Sequence, residues 1–544
     1  MTLAGDPTIR WHVAHEIRDA LFIPDGRLPI ETFIRDGSAR VIKSGPHRTV
    51  YRVTRDGVDV FLKEYRAAGL RNRLRELIRP VKGRRESDRA RALAGRQIPV
   101  PEPLGWGVLG SRFAPRASFV ISRAVESAVH LADAPRQATP VQRHALAKEL
   151  GRFLACLHAA GVTHRDLHPG NVLVRWETGR PKMILLDLHE VSLGKPLDWP
   201  RRRDNLATIN RYYMLRATRA ERLRFWRSYA AAAGDAIPNR PDATPAGLEA
   251  ATLESNRVLW RSRARKYSGD SRLVCRERRG SMGGLFVRDL DPAAAASLLS
   301  QPDAALTSFA ARSLKIGGRS TVAATPLGVI KRFNIRSAAD LLKNLVRPTP
   351  QWHAWVMGHA LLDAGLPTPR PLATVTRYRY RFVPAEGYLL AEELPNLLDL
   401  REFVDRVSGL PPRERHRALR DRAVCVAMAV RAFHDRGFGH RDLKAGNLLT
   451  PANVADHRVW FVDLAGVTCR RRNPRSSRNR DLARLFASFL EHPTITPGVR
   501  LRFLLAYRGP GTAAKAGWQR NWREIGQRGN SVVADIRARG RPVG

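Results

Sequence analysis

Two stretches of this chain hold residue types from which phosphoryl transfer can be built. HRDLHPGN fills positions 164–171 and HRDLKAGN positions 440–447. In each case an Asp stands 16 residues beyond the Asn, at the end of an apolar run: MILLD to Asp187 and VWFVD to Asp463. Asp166 and Asp442 are placed to accept the proton of an attacking hydroxyl. Asn171 with Asp187, and Asn447 with Asp463, offer hard oxygen ligands for a Mg2+ ion bridging the phosphates of ATP. Lys444, and His168 at the same place in the first loop, put a basic group where charge develops on the transferred phosphoryl.

The duplication reaches beyond the loops. Asp166 and Asp442, Asn171 and Asn447, Asp187 and Asp463, His158 and His434, and Gly161 and Gly437 are all separated by 276 residues. A constant offset over so many roles marks a repeated architecture rather than a chance motif. Asp204 and Asp481, at an offset of 277, are expected to accept backbone hydrogen bonds from the two loops.

Each loop needs elements to hold it. Leu146, Leu150, Phe153, Leu154 and Leu157 recur at helical spacing ahead of the first loop, and Val424, Met428 and Phe433 ahead of the second. The paired runs VLV/MILLD and NLL/VWFVD predict β-hairpins whose second strands present Asp187 and Asp463. Upstream, VDVFLKEY and GVIKRFN supply the strand lysines Lys63 and Lys331, expected at the ATP phosphates. Glu86, in RRESDRARAL, is the expected acidic partner of Lys63. The corresponding helix of the second half, PQWHAWVMGHALLDAG, has Ala354 there, which places the activity of that half in question. SGPHRTVY and IGGRSTV occupy the place of a phosphate-covering loop without matching G-x-G-x-x-G. The expected fold is α+β: two tandem protein-kinase-like bilobal domains, each with a β-rich N-lobe and a mostly helical C-lobe. They are assigned to residues 1–268 and 269–544, with the seam in KYSGDSRL.

A chain of 544 residues is too long for a single core, and 43% hydrophobic with 26% charged residues is the composition of globular protein, not of extended disorder. The net charge of +44 predicts a surface that attracts anions, whether phosphorylated sugars or an anionic membrane face. No nucleic-acid-binding motif accompanies that charge, so no specific nucleic-acid partner is expected. Four cysteines without a CxxC pair fit a reducing compartment, with Cys156 and Cys425 read as core residues. MTLAGDPTIRWHV lacks the layout of a signal peptide, and no run of ~18 uncharged apolar residues is present. A cytoplasmic location is expected, with peripheral contact at the inner membrane.

Neither interval after the metal aspartates contains A-P-E, and both are short, which favours a small or glycan-borne hydroxyl over an extended peptide. Arg201, Arg202 and Arg203 in the first, and Arg470, Arg471, Arg472, Arg475, Arg478 and Arg480 in the second, suit a substrate bearing phosphate or carboxylate. HRDLHPGNVLV with MILLDLHEV, and HRDLKAGNLLT with VWFVDLAGV and RNRDLARLFASF, resemble the lipopolysaccharide kinase family of Kdo and core-heptose kinases, over roughly residues 38–225 and 310–505. The resemblance implies ATP and magnesium, a cytoplasmic or inner-membrane-associated site in a bacterium, and an acceptor hydroxyl on a lipopolysaccharide inner-core sugar or other anionic glycan. Members of that family are commonly single units, so the tandem arrangement is a departure. Two other readings stay open: a protein or small-molecule kinase of the antibiotic or choline type, and one active kinase fused to a regulatory pseudokinase.

Overall fold

Asp56 and Gly57 both take positive φ, 46° and 77°, the two-residue turn whose twist matches a hairpin, and they join strand Arg48–Arg55 to strand Val58–Arg66. In this computed structural model the described residues are 4–45, 47–66, 80–111, 114–308, 311–318, 320–335, 337–380, 382–470, 473–509 and 517–540. The hairpin sits in a six-stranded antiparallel sheet, in the order Arg10–Val13, Pro103–Ser111, Ala114–Arg123, Val58–Arg66, Arg48–Arg55, Ala39–Ser44. Helix Lys82–Ala94 lies against this sheet. Its Gly83 permits the approach, since a Cβ there would come within 2.2 Å of the Phe119 carbonyl oxygen.

The lower lobe of this first unit is mostly helical. Thr139 and Gln142 form a capping box that starts helix Pro140–Ala159, which buries Leu146, Leu150, Phe153, Leu154 and Leu157 as its spacing predicts. The loop with Asp166 follows, then the hairpin Val172–Glu177/Arg180–Leu185, closed by Thr178 and Gly179 at φ 47° and 77°. Helices Trp199–Tyr213 and Arg219–Ala233 complete the lobe.

The second unit repeats the plan with a seven-stranded sheet, in the order Val274–Arg279, Met282–Val287, Pro371–Arg379, Val383–Ala391, Gly328–Phe333, Ser320–Thr325, Arg312–Ile316. Helix Pro350–Asp363 takes the place of Lys82–Ala94. Asp399 and Glu402 box the start of helix Leu400–Ser408. Helix Pro412–Asp435 leads into the loop with Asp442, and helices Arg475–Ala487, Pro497–Arg508 and Trp518–Ala538 follow.

Three details differ from the sequence-based expectations. The compact units are Met1–Ser255 and Asn256–Gly544, a division inside helix Pro245–Ala264 rather than at 268/269. Residues 256–268 bond within the second unit: Arg257 donates to the Asp435 carbonyl at 2.6 Å, and Tyr267 stacks on His359 at 4.0 Å between centroids. Cys156 is exposed, and Cys425 half-buried. Met428 is exposed too, because helix Pro412–Asp435 buries Val426, Ala427, Val430 and Phe433 instead.

Candidate active sites

The side chains of Lys63 and Tyr65 leave the same face of their strand, two residues apart, and both reach Glu86 on the overlying helix. Lys63 Nζ lies 2.6 Å from Glu86 Oε1 and 3.3 Å from Asp187 Oδ1. The Tyr65 hydroxyl donates to Glu86 Oε2. Arg48, paired across the strands with Tyr65, donates to both Asp187 oxygens at 2.9 and 3.1 Å. Burial opposes ionisation of Asp187, but Lys63 and Arg48 outweigh it and hold the carboxyl far below the usual carboxylate range. Burial also opposes the Lys63 ammonium, and Glu86 and Asp187 outweigh it in turn, keeping it above the ordinary lysine value. Lys63 and Asp187 are therefore both charged at neutral pH.

The catalytic loop is held by its own backbone. Asn171 donates Nδ2 to the Asp166 carbonyl at 2.8 Å. His164 donates from Nε2 to the Leu186 carbonyl at 3.1 Å and accepts at Nδ1 from the Asp166 N–H at 3.2 Å. That tautomer is neutral, and burial lowers the imidazole below its usual value against the pull of the Leu186 carbonyl. His168 accepts from Gly170 N–H at 3.0 Å and turns Nε2 to within 3.5 Å of Asp166 Oδ2. Asp187 itself is left-handed, φ 54° and ψ 50°, a conformation costing about 1–2 kcal/mol for a residue with a Cβ.

Lys63, Glu86, Asp166, His168, Asn171 and Asp187 all border one cleft of about 960 Å³. Val50, Phe61, Val120, Leu173 and Leu186 give it an apolar side. Asn171 and Asp187 contribute an amide and a carboxylate oxygen, a donor set suited to magnesium. Among the described residues no three His, Cys, Asp or Glu side chains gather as a metal cluster.

The second unit keeps the loop and alters its support. Asn447 donates to the Asp442 carbonyl at 2.8 Å, and His440 to the Val462 carbonyl at 3.0 Å. Asp463 repeats the left-handed backbone at φ 57° and ψ 57°, and Lys331 Nζ lies 2.7 Å from its Oδ1. Strand pairing shows what has changed: Arg48 opposite Tyr65 becomes Ser320 opposite Phe333. Ala354, buried in helix Pro350–Asp363, stands for Glu86. The phenol and carboxylate that frame the lysine–aspartate pair in the first unit are thus replaced by Phe333 and Ala354, and Ser320 stands at the strand position of Arg48. Asp442 meets two cations, Arg484 Nη1 at 2.8 Å and Lys444 Nζ at 3.9 Å.

Asp481 accepts from His440 N–H at 2.8 Å and Arg441 N–H at 3.2 Å, and sits 3.2 Å from His434 Nε2. Asp204 has no such role. It is exposed beside Arg203, and Asn205 accepts from the His164 N–H at 3.4 Å instead. Asn205 and Asp481 restore the 276-residue offset. The interval arginines need a similar correction. Arg202 is buried and donates to the Leu197 carbonyl at 2.7 Å, Arg203 pairs with Asp242 at 3.1 Å, and Arg478 pairs with Asp435 at 2.8 Å. Arg475 bonds Asn521. Arg201, Arg470 and Arg480 are exposed, and Arg471 and Arg472 lie outside the described residues, as do Pro46 and Arg319 of the loops in the phosphate-covering position. Arg48, Tyr65, Asn205 and Arg484 escaped sequence reasoning. For the first two a signal existed, the two-residue alternation on strands flanking Lys63.

A lysine and carboxylates at the junction of a β lobe and a helical lobe, above an HRD loop, define a protein-kinase-like unit, here present twice. The chain belongs to the lipopolysaccharide kinase (Kdo/WaaP) family, whose model matches residues 36–229 and 341–507. It is 33% identical over 126 residues to the lipopolysaccharide core heptose(I) kinase WaaP of Pseudomonas aeruginosa, covering 22% of this chain and 46% of that protein. It is 26% identical over 129 residues to the 3-deoxy-D-manno-octulosonic acid kinase of Haemophilus influenzae, covering 24% and 49%. The chain spans about half the length of the curated relatives it matches. Among solved structures, WaaP in complex with acyl carrier protein is similar at 22% identity and TM-score 0.33, covering 45% of this chain and 97% of that one. A spectinomycin phosphotransferase in complex with ADP and spectinomycin is similar at 13% identity and TM-score 0.29, covering 42% and 82%.

Proposed function

We propose that this protein is an ATP-dependent kinase that transfers the γ-phosphate to a sugar hydroxyl of the lipopolysaccharide inner core, Kdo or heptose, and that the first unit carries out the transfer. The observation that carries this reading is the single cleft bordered by Lys63, Glu86, Asp187, Asn171 and Asp166. Lys63, fixed by Glu86, would hold the phosphates of ATP, and Asn171 with Asp187 would hold magnesium. That ion, when bound, neutralises the phosphate oxygens. Asp166 would orient the acceptor hydroxyl and take its proton as oxygen attacks the γ-phosphorus. The bond from that phosphorus to the bridging oxygen breaks, and ADP leaves with the electron pair. His168, within 3.5 Å of Asp166, would steady the carboxylate. The family supports a sugar acceptor, and the basic chain supports an anionic one met at the inner-membrane surface.

A second reading concerns the second unit, as a regulatory pseudokinase. Replacement of the Tyr65 and Glu86 equivalents by Phe333 and Ala354 supports it, as does the engagement of Asp442 by Arg484. Transfer of labelled γ-phosphate to core oligosaccharide, against peptide and aminoglycoside panels, tests the acceptor. Asp166→Ala is expected to lose about 10²–10⁴-fold in kcat and Asp442→Ala little. Label appearing only on peptide would overturn the sugar acceptor, and a silent Asp166→Ala the choice of unit.

A further inference from the structure

Helix Ala338–Val346 turns its apolar stripe outward. Ala338, Leu342, Leu345 and Val346 recur at i, i+4, i+7 and i+8, the spacing that ordinarily faces a core. Yet Leu342, Leu345 and Val346 are 65%, 49% and 77% exposed. The inward side is anchored by Asn344, which donates to the Pro384 carbonyl at 3.4 Å. Pro384 lies two residues past Phe382, in the hairpin tip between Pro371–Arg379 and Val383–Ala391. There Tyr380 is 82% and Phe382 70% exposed. Monomeric soluble proteins rarely leave so many large apolar side chains together in water.

The sequence through this patch is rich in basic residues. Lys343, Arg347, Arg379 and Arg381 are interleaved with its apolar residues in sequence. Of the carboxylates nearby, Asp340 is half-buried and Glu386 is paired with Arg379 at 3.2 Å. Projecting leucine, valine, phenylalanine and tyrosine side chains with basic flanks match the boundary between headgroups and acyl chains. There the apolar groups gain depth and the cations meet lipid phosphates. The net charge of +44 adds attraction at longer range.

We propose that helix Ala338–Val346, with Tyr380 and Phe382 beside it, forms a membrane-docking surface that seats the second unit on an anionic lipid bilayer. The proposal names the surface for the membrane contact in the function above, and it rests on exposure and charge rather than on phosphate transfer.

The test is sedimentation of the full chain with vesicles of phosphatidylglycerol and phosphatidylethanolamine, against phosphatidylcholine vesicles. It is run at physiological salt and at about 0.5 M, where surface charges are screened within a few ångströms. The wild type is expected to bind the anionic vesicles and to stay partly bound at high salt. The variant Leu342→Ser/Val346→Ser/Phe382→Ser is expected to bind about tenfold or more weakly and to release completely at high salt. Its thermal unfolding should not change, since the three side chains are exposed. Equal binding by the triple variant, or no binding by the wild type, overturns the proposal. So does a wild type that dimerises through this patch without lipid while the variant is monomeric and unaltered on vesicles. Transfer to soluble core oligosaccharide is expected to be the same in both proteins, so failure of docking and failure of the kinase reading are seen separately.

Discussion

His158 and His434 occupy one position in two units and meet different neighbours. His434 lies between the Tyr507 hydroxyl at 2.8 Å and Asp481 at 3.2 Å. His158 keeps the tyrosine, Tyr229 at 2.9 Å, but its Nε2 has no partner among the described residues, because Asn205 replaces the aspartate. Burial, with Arg202 acting in the same direction, pushes the His158 imidazole from 6.5 down to about 3. Between those values the unfolded chain binds a proton that the native state refuses. Stability is therefore full above the unfolded value and falls as pH drops through it, by up to about 1.4 kcal/mol per pH unit. Asn205→Asp should give Nε2 an acceptor, raise stability by about 1 kcal/mol and flatten that acid slope. Calorimetry between pH 7 and pH 5 measures both, and an unchanged slope would refute the account. Glu86→Gln removes the buried charge beside Lys63 and brings the first site closer to the arrangement around Lys331. Its kcat/KM for ATP is expected to fall about tenfold to a hundredfold, with Tm little altered.

At the scale of elements, both units bring a helix against the sheet that bears the lysine, and they achieve the close approach differently. In the first unit the helix carries Gly83 over the backbone of Phe119. In the second, the helix carries Gln351, which donates to Thr376 at 2.9 Å and lies over Gly387, where a Cβ would come within 1.9 Å of it. From the first unit to the second the gap has moved from helix to sheet, and a side chain, Gln351, stands on the helix instead. Gly83→Ala should therefore lift helix Lys82–Ala94, cost about 1–3 kcal/mol and weaken ATP binding by parting Glu86 from Lys63. Gly95→Ala, at the end of the same helix with its nearest neighbour 3.6 Å from the added carbon, is the neutral control. Equal Tm and equal ATP affinity in the two variants would show that the approach is not tight. The helices and hairpins were legible from spacing alone, since apolar periodicity and Asp-Gly or Thr-Gly turns act locally. The exposure of Met428 was not, because which face of Pro412–Asp435 is buried depends on the helices that surround it.

At the scale of the molecule, the architecture repeats while the residues around the strand lysine change. The full chain is expected to take up one tightly bound ATP by titration calorimetry. Asp187→Asn should abolish that binding and Asp463→Asn should leave it, while two sites of equal affinity would contradict the asymmetry. The HRD loops, their metal-ligand pattern, the constant offset and the missing carboxylate at Ala354 belong to the sequence, because each is set by residue type at fixed spacing. The tertiary structure decided the partners. Arg48 and Tyr65 join the site through strand pairing that brings distant residues face to face. Asn205 rather than Asp204 braces the loop because one step along a helix turns a side chain by about 100°. Arg202 and Arg478 are consumed by their own lobes for the same reason: a cation's neighbours in space, not in sequence, determine whether any of its charge is left for a substrate.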